Sequence, residues 1–463
     1  MTPLLVLNIV GLTRDLLRKH PAHAKNILAL AQDGASALLG TVLPAVTCTV
    51  QSTFLTGLLP RDHGVVANGW YFRDLAEVHF WKQSNALVQG PKIWHDAKKR
   101  DPKFTSAKLF WWYNMYSKND IAVTPRPAHL ADGSLISLTY SDPPELAPQL
   151  DSELGRFPLF EFWGPGAGIG SSLWIERCAE SVAKSFAPTL SLVYLPHLDY
   201  NLQRLGPDDP KIAEDLKAVD EIAGRMIDSA RARGAKIVIL SEYGMSQTDD
   251  AVDINRVLRG AGFLRVQKQA TWELLDFAAS RAFAVADHQV AHIYVQDGND
   301  IAAVKVLLEK TPGIERVLDA QGMRGAGLDH PRSGELIAIS AANKWFTYYY
   351  WEDDALCPPW AHEVDIHNKP GYDPVELFLD PKVCCIKARI AKRLLMRKLG
   401  FRQTIMDFIP FESALVKGSH GRLPDTPEQG PLLIASDRNA NLPEHMAAVD
   451  VKGFLLKQIF GGK

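Results

Sequence analysis

Short apolar runs alternate with amphipathic stretches along much of the chain, and this alternation limits the possible folds more than any other feature. The runs are rich in β-branched residues and too short for helices. Between them, Ile175–Phe186 and Lys211–Arg231 carry apolar residues at three- and four-residue spacing, which predicts helices with one buried face. Strands buried on both faces and separated by helices predict a parallel sheet with right-handed crossovers. The predicted strands are Leu4–Val10, Ala107–Trp112, Thr189–Leu195, Ala235–Leu240 and Leu432–Ala435.

The region 263–339 has a different pattern, with shorter strands around one helix. We therefore expect a small α/β cap at residues 263–339, inserted into a doubly wound, mostly parallel core formed by residues 1–262 and 340–463. The predicted cap elements are the strands Ala291–Val295, Arg316–Leu318 and Leu336–Ile339 and the helix Ile301–Lys310.

The composition is that of a globular protein with little net charge. Of 463 residues, 46% are hydrophobic, which is enough for a large core. Lys and Arg number 51 against 53 Asp and Glu, so the formal net charge is −2. A dedicated nucleic-acid binder carries a cationic excess, and we therefore expect no nucleic-acid partner.

Cellular location is predicted from the cysteines and from the N-terminal segment. The five cysteines form no CxxC pattern, which is typical of a reducing compartment. The apolar segment Leu4–Val10 has neither a basic region before it nor a cleavage site after it, and no apolar run is long enough to span a bilayer. These patterns predict a cytoplasmic protein without a transmembrane segment.

Polar, turn-rich segments follow the predicted strands and carry the residues suited to chemistry. Thr47 precedes a predicted helix, Asp199 and Glu242 follow buried strands, and His420 lies on a turn between glycines. Hydroxyl, carboxylate and imidazole groups are those that a metal-assisted attack on phosphorus uses. Taken singly, Thr47 and Asp199 are equally suited to capping helices, and His420 to hydrogen bonding in a turn. A carboxylate such as Glu242 is costly to bury unless it is paired or ligated.

Several short motifs in a fixed order resemble one family. Thr47 stands shortly before Thr56-Gly57 and the Pro-x-x-His-Gly segment Pro60–Gly64, and Ser241–Met245 and Ser419–Gly421 follow later. The chain thus resembles the alkaline phosphatase superfamily in its nucleotide pyrophosphatase/phosphodiesterase branch. The resemblance implies a doubly wound sheet with an inserted cap. It also implies in-line displacement at a phosphodiester or phosphonate by a threonine across two divalent metals, with Thr47 at the nucleophile position.

The metal-ligand positions of that family are only partly kept. Val10 stands where the family has the aspartate that ends its first strand, although Asn8 on the same strand face could offer an amide oxygen. Gln203 replaces the histidine of an Asp-x-x-x-His pair, and Tyr243 replaces the histidine of an Asp-His pair. The Tyr243 phenol could instead donate a hydrogen bond to a developing oxyanion.

Three residues at family ligand positions keep metal-binding side chains, namely Asp199, Glu242 and His420. With the Thr47 oxygen they could hold one ion, whereas two ions need more ligands. We therefore predict one divalent ion, zinc in the first place, with manganese or iron as alternatives.

The stretch 360–374 offers further candidates. If it is extended, Glu363, Asp365 and His367 point the same way, and Asp365 with His367 has chelating spacing. Lys369 could meet an anionic substrate oxygen, and Asn68, in the segment after Thr47, is a second candidate for binding substrate. The alternative for residues 360–374 is a salt-bridged surface loop.

Two other features have both a functional and a structural interpretation. The aromatic runs Phe110–Tyr116 and Phe157–Trp163 could stack a flat leaving group at the cleft, or could pack the core. The basic stretch Lys382–Arg402 has an apolar stripe, so it could contact a membrane surface or a polyanion, or could form a solvated outer helix packed on the sheet.

Three functional hypotheses follow. The favoured one is a hydrolase of a small phosphorylated or anionic substrate that cleaves a phosphodiester, phosphomonoester or phosphonate bond, with Thr47 as nucleophile and a metal on Asp199, Glu242 and His420. The second is a non-catalytic relative that binds an anionic metabolite. The third is a hydrolase with Asp365 and His367 as the main metal ligands.

Overall fold

A computed structural model of the chain describes residues 1–130, 135–401 and 408–461. Its centre is a nine-stranded sheet whose middle strands have both faces covered by helices. All six residues of the strand Leu4–Ile9 are buried, because that strand lies between two parallel neighbours in the middle of the sheet. In sheet order the strands are His445–Met446, Ala35–Leu39, Leu432–Ala435, Lys236–Leu240, Leu4–Ile9, Leu190–Leu195, Ser106–Leu109, Ile121–Pro125 and Thr139–Asp142.

Strand direction in this sheet agrees with the sequence prediction. The five strands from Lys236–Leu240 to Ile121–Pro125 pair in parallel, and antiparallel pairing occurs only towards the two edges. The expected doubly wound, mostly parallel α/β sheet is therefore confirmed. Because the carboxyl ends of the parallel strands meet at one edge, the segments after Leu190–Leu195 and Lys236–Leu240 lie beside each other there.

The helices include both that the sequence predicts. The first covers Ile169–Phe186 and so begins six residues before its predicted start, and the second covers Ile212–Ala232. Each buries its apolar stripe, with Ile175, Val182 and Leu216 all nearly inaccessible. The α-helices are Arg14–Lys19, Lys25–Asp33, Thr47–Thr56, Pro60–His63, Ile93–Arg100, Leu146–Leu154, Ile169–Phe186, His197–Leu205, Ile212–Ala232, Ile254–Gly260, Ile301–Glu309, Ala320–Ala326, Ile386–Lys398 and Val451–Phe460.

A second, antiparallel sheet lies within residues 282–340 and has its own apolar core. This region contains the three strands and the helix that the sequence predicts. Its sheet also includes Ala282–Asp287, a fully buried strand that the sequence analysis does not identify. The proposed cap boundaries, at residues 263 and 339, stay a prediction. In sheet order the strands are Ala282–Asp287, Val290–Val295, Leu336–Ser340 and Ile314–Leu318.

Of the five short two-stranded ladders in the described structure, two join segments that are distant in sequence and three join neighbouring segments. The pairing of Ser246–Gln247 with Gly418–Ser419 brings the chain after Glu242 next to His420. The other ladders pair Gly69–Phe72 with Glu77–Phe80, Ala128–His129 with Leu135–Ile136, Asp250–Val252 with Lys344–Phe346, and Val266–Lys268 with Glu273–Leu275.

The basic stretch forms the helix Ile386–Lys398, and Arg402 lies outside the described residues. Leu394, Leu395 and Leu399 are at least half exposed, so this apolar stripe is not packed on the sheet as one sequence interpretation expects. Among the described residues, no helix is long and apolar enough to cross a membrane.

Asp220 fastens one helix to another and offers a test of the packing. This buried carboxylate, on the helix Ile212–Ala232, accepts hydrogen bonds from Asn26 N, Asn26 Nδ2 and Ile27 N at 2.9–3.1 Å. Asp220→Ala leaves these donors without their acceptor, and we expect it to lower the free energy of unfolding by about 3 kcal/mol in denaturant titrations. Asp228→Ala, at an exposed position of the same helix, is the control and should change it by less than about 0.5 kcal/mol. Equal effects of the two substitutions would contradict this role of Asp220.

Candidate active site

Thr47 is the first residue of the helix Thr47–Thr56, at the carboxyl edge of the central sheet. All ten residues of this helix are buried, and Val46, in extended conformation, occupies the N-cap position. The alternative in which the Thr47 side chain caps the helix is therefore wrong. The backbone N–H groups of a first helical turn have no acceptors within the helix, and the amide of Cys48 donates to Asn68 Oδ1 at 2.9 Å.

The Thr47 hydroxyl begins a short hydrogen-bond chain to a carboxylate. Its oxygen lies 3.0 Å from the Tyr243 hydroxyl, which lies 3.3 Å from Asp199 Oδ1. A phenol has one proton, so when Tyr243 donates to the Asp199 carboxylate, Thr47 donates to the Tyr243 oxygen. The three side chains are buried and come from three different segments. This arrangement links the Thr47 hydroxyl to a carboxylate through a phenol.

Asp199 lies in the first turn of the helix His197–Leu205, whose N-cap position is Pro196. Gln203 Nε2 donates to Asp199 Oδ2 at 2.7 Å, and Gln203 Oε1 accepts from the Tyr372 hydroxyl at 2.9 Å. Burial raises the pKa of Asp199 to about 7, although the hydrogen bonds from Gln203 and Tyr243 oppose the shift. The capping interpretation of Asp199 is wrong, and its carboxylate instead faces Tyr243 and Gln203.

Glu242 follows the strand Lys236–Leu240 and is fully buried. Its Oε1 accepts from Asn8 Nδ2 at 2.5 Å and from Gln51 Nε2 at 2.6 Å, while Gln51 Oε1 accepts from Trp112 N at 2.8 Å. Burial raises the pKa of Glu242 to about 8, against the effect of these hydrogen bonds. Within the described structure, Glu242 Oε2 and Asn8 Oδ1 have no hydrogen-bond partner.

His420 packs against the Tyr243 ring. The two rings stack with centroids 3.6 Å apart and planes inclined by 9°. Its Nδ1 lies 2.8 Å from the Ala45 carbonyl oxygen, which can only accept, so the Nδ1 proton is donated there and Nε2 is the nitrogen 4.0 Å from Asp199 Oδ1. Burial lowers the pKa of His420 to about 3.

Sequence analysis did not identify two aromatic residues that continue this stack. The His288 ring lies 3.7 Å from that of His420 and, on its other side, 3.7 Å from that of Tyr372. His288 comes from the turn between two strands of the second sheet, so no spacing relative to the other site residues marks it. Burial lowers the pKa of His288 well below its usual range.

Asn68 supports the start of the Thr47–Thr56 helix. Besides accepting from Cys48 N, it donates from its backbone N and from Nδ2 to the two oxygens of Asp287, at 2.7 and 3.1 Å. Burial raises the pKa of Asp287 to about 7, while the bonds from Asn68 lower it. These contacts occupy the Asn68 side chain, which the sequence analysis assigns to substrate binding.

The stretch 360–374 is divided between the cavity wall and the core. Glu363, Asp365 and His367 line the same cavity as Thr47. The segment forms turns, however, and not the extended strand that the sequence analysis assumed in predicting that these three side chains point the same way. Lys369 is fully buried and pairs with Asp373 Oδ2 at 2.9 Å and Glu376 Oε1 at 2.8 Å. The structure therefore does not bring Lys369 to the cavity, since burial and two carboxylates hold it in the core.

The cavity has a volume of about 580 Å³, and Thr47, Tyr243, Asp199 and His420 form part of its wall. Aromatic residues make up a large part of the remaining wall, together with aliphatic residues and prolines. One predicted aromatic run is divided, because Trp112 reaches the cavity while Phe110 and Trp111 are core residues. Besides Tyr243, the larger aromatic side chains on the wall are Trp81, Trp112, Phe160, Phe162, Trp163, Tyr194, Tyr200 and Tyr372.

The side chains present do not fit a bimetallic centre. In the described part of the chain, no three His, Cys, Asp or Glu side chains are grouped so that they could hold a metal ion. The five predicted ligands, Asp199, Glu242, His420, Asp365 and His367, thus do not converge on one point. The physical reason is that neutral groups bind the carboxylates. The amides of Asn8 and Gln51 bind Glu242, and the Gln203 amide and the Tyr243 phenol bind Asp199.

Comparisons with known proteins relate the chain to one group of hydrolases. The family model described as type I phosphodiesterase / nucleotide pyrophosphatase matches residues 4–373. An uncharacterized pyrophosphatase/phosphodiesterase of Schizosaccharomyces pombe is 24% identical over 253 residues, which are 53% of this chain and 45% of that protein. A venom phosphodiesterase of Naja atra is 22% identical over 266 residues, 55% of this chain and 27% of that protein. The aligned region spans less than half the length of these curated relatives.

Solved structures show the same fold. Phosphonoacetate hydrolase from Sinorhizobium meliloti, in complex with phosphonoformate, superposes with a TM-score of 0.63 at 15% identity, covering 99% of this chain and 96% of that one. Inactive murine ectonucleotide pyrophosphatase/phosphodiesterase 5, in complex with AMP, has a TM-score of 0.58 at 14% identity, covering 99% of this chain and 95% of that one.

The burial of Lys369 generates a stability prediction. Lys369→Met leaves the carboxylates of Asp373 and Glu376 buried without their cation, and we expect a loss of about 3–5 kcal/mol in the free energy of unfolding at neutral pH. Burial already raises the pKa of Glu376 to about 7. Removing the cation favours protonation further, so the folded variant binds more protons than its unfolded chain and the loss should shrink as the pH falls from 8 to 5.

The control for this prediction is Lys382→Met, because Lys382 pairs with Glu412 at 3.0 Å on the surface. We expect it to leave the free energy of unfolding nearly unchanged, because solvent screens an exposed ion pair. Denaturant titrations at several pH values compare the two variants. A small loss in Lys369→Met that does not vary with pH would contradict the buried ion triad.

Proposed function

Because the chain belongs to the type I phosphodiesterase / nucleotide pyrophosphatase family, we propose that it hydrolyses a phosphoester or phosphonate bond of a small phosphorylated molecule with Thr47 as the nucleophile. The observation that carries the proposal is the Thr47 hydroxyl at the cavity wall, hydrogen-bonded to Tyr243 and through it to Asp199. Supporting evidence for the substrate class comes from two structural relatives, one bound to phosphonoformate and the other to AMP.

In the first step, the Thr47 oxygen attacks phosphorus. Its proton passes to the Tyr243 oxygen, and the Tyr243 proton passes to the Asp199 carboxylate. A bond forms between phosphorus and the Thr47 oxygen, and the bond from phosphorus to the leaving group breaks. The leaving group departs with the electron pair of that bond.

In the second step, water attacks the phosphorus of the Thr47 ester. The bond between phosphorus and the Thr47 oxygen breaks, and the proton held by Asp199 returns through Tyr243 to that oxygen. The attacking water releases its extra proton to solvent, and the phosphorylated product leaves. The residues thereby return to their starting protonation states.

Negative charge on the phosphoryl oxygens is stabilised by neutral donors in this proposal. The first turn of the Thr47–Thr56 helix presents backbone N–H groups and the positive end of the helix dipole to an anion at Thr47. The divalent metals of the family would supply stronger charge neutralisation. The donor set here does not fit them, and the steps above use none.

A second candidate function is the binding of an anionic metabolite without turnover. The observation that favours it is the occupation of the site carboxylates by amide donors, with Asn8 and Gln51 at Glu242 and Gln203 at Asp199. Such pairing binds both oxygens of Asp199, counting the Tyr243 phenol, and one oxygen of Glu242 with neutral donors in place of the metals on which hydrolysis in this fold would otherwise draw. Both candidates place a ligand against Thr47, and they differ in whether a bond is broken.

Isosteric substitution of one hydroxyl tests the nucleophile. We expect Thr47→Val to lower turnover of the esters in a panel by about 10⁴-fold or more, because no other group replaces the attacking oxygen. The panel comprises bis(4-nitrophenyl) phosphate, 4-nitrophenyl phosphate and 4-nitrophenyl phenylphosphonate, and release of nitrophenolate is measured.

Thr49→Val is the matched control, since Thr49 lies on the same helix and its buried hydroxyl has no hydrogen-bond partner in the described structure. Its turnover should stay within a few-fold of the parent chain. Full turnover in Thr47→Val would eliminate the nucleophile assignment, and a parent chain inactive on a broad panel of phosphate esters would favour the binding function.

Metal content tests the unusual donor set. We expect elemental analysis of chain purified without chelator to find far less than one zinc, manganese or iron per chain, and EDTA to leave turnover unchanged, because no three ligands converge in the part of the chain that the structure describes. One ion per chain, lost in both Asp199→Ala and His420→Ala, would instead establish the single-metal site predicted from the sequence. Loss of that ion in Asp365→Ala and His367→Ala would point to those two residues as its main ligands.

A further inference from the structure

A continuous series of aromatic rings leads away from the nucleophile. Tyr243, which contacts the Thr47 hydroxyl, stacks on His420, and His288 lies between His420 and Tyr372, with successive centroids 3.6–3.7 Å apart. All four rings line the cavity. Because neighbouring rings in this stack cover each other's faces, the stack presents mainly ring edges to whatever occupies the space beside it.

The series continues into three tryptophans that also line the cavity. From Tyr372, the ring centroid of Trp163 lies at 5.6 Å and that of Trp81 at 6.0 Å, and Trp81 contacts Trp112 at 4.7 Å. All three indoles are partly accessible and line the cavity, while their covered parts pack against core residues. Phe160, which is 55% exposed, adds a further ring to the wall.

The charged side chains on the remaining wall are acidic, and much of the rest of that wall is apolar. Its carboxylates are Asp199, Glu363 and Asp365, and none of the lining residues that the structure describes is a lysine or an arginine. Ligands with several phosphate charges are bound through cations, whereas this wall supplies aromatic surface and carboxylates. Its volume of about 580 Å³ suits a ligand of several rings.

We infer that the cavity binds a flat, multi-ring aromatic group, uncharged or cationic, and that this group is the leaving group of the ester cleaved at Thr47. The first half of this inference stands on the cavity alone, and the second rests on the proposed function. Nucleotides with several phosphates are then poor ligands, although the fold is that of nucleotide-binding relatives. A ligand of low charge satisfies a wall that offers stacking surfaces but little to pair with an anion.

A binding experiment that needs no turnover tests the aromatic site. N-phenyl-1-naphthylamine is neutral, has three rings and fluoresces strongly in an apolar site, so we expect it to bind the full chain with saturable fluorescence gain. Phe160→Ser and Trp112→Ser should each weaken binding by about 5- to 150-fold, the range for loss of one stacking side chain. ATP at equal concentration should not displace the probe.

The matched control is Phe186→Ser, because Phe186 is likewise exposed, at 39%, but lies at the end of the helix Ile169–Phe186 and not on the cavity wall. It should leave the dissociation constant unchanged. Absence of saturable binding, equal losses in Phe160→Ser and Phe186→Ser, or displacement by ATP at lower concentration than by 1-naphthol would each overturn the inference.

Failure of the inference and failure of the proposed function give different results. Probe binding that persists in Thr47→Val, with no ester turned over by the parent chain, upholds the aromatic site and overturns its role as a leaving-group site. Turnover of dimethyl phosphate or phosphonoacetate at a rate matching that of 1-naphthyl phosphodiesters, without probe binding, upholds the hydrolase and overturns the aromatic site. Faster turnover of the naphthyl esters, reduced in Phe160→Ser but not in Phe186→Ser, supports both.

Discussion

A carboxylate buried at the carboxyl edge of a sheet must be paired, ligated or protonated, because the charge is costly to remove from water. Three carboxylates in this protein meet that condition around the Thr47–Thr56 helix, and amide side chains bind each of them. Burial raises the pKa of all three, which weakens their negative charge near neutral pH. The pairs are Glu242 with Asn8 and Gln51, Asp199 with Gln203, and Asp287 with Asn68.

The binding of buried carboxylates by amide side chains determines what else the site contains. Amides and a phenol are neutral donors, and they bind both oxygens of Asp199 and one oxygen of Glu242 without a cation. Burial keeps His420 and His288 uncharged, which lets their rings stack directly on Tyr243 and Tyr372 without repulsion between imidazolium groups. The aromatic stack and the amide pairs are therefore two consequences of the same low-charge environment.

Sequence reasoning succeeds here where the signal is local. The strand after residue 189 and the helix Ile212–Ala232 follow from burial periodicity, and Asp199 and Glu242 follow from the rule that parallel strands end at one edge. It fails where a residue's environment comes from elsewhere in the chain. Lys369 lies in the core because it pairs with Asp373 and Glu376, and no spacing rule predicts this pairing. His288, Gln51 and Tyr372 reach the site from separate elements, so their roles depend on tertiary packing.

If the protein has the proposed function, the low charge of the site limits which bonds it can break. A departing alkoxide needs a cation or an acid to stabilise its charge. The wall beside Thr47 has the uncharged rings of His420 and His288 instead of such a group. An aryl oxide delocalises the charge over its own rings and needs less assistance. Stacking against Tyr372 and the indoles would bind such a leaving group in the same orientation in which it departs. Substrate choice and bond cleavage are thus coupled, because the surface that recognises the aromatic group also favours the one class of leaving group that a site of neutral donors can release.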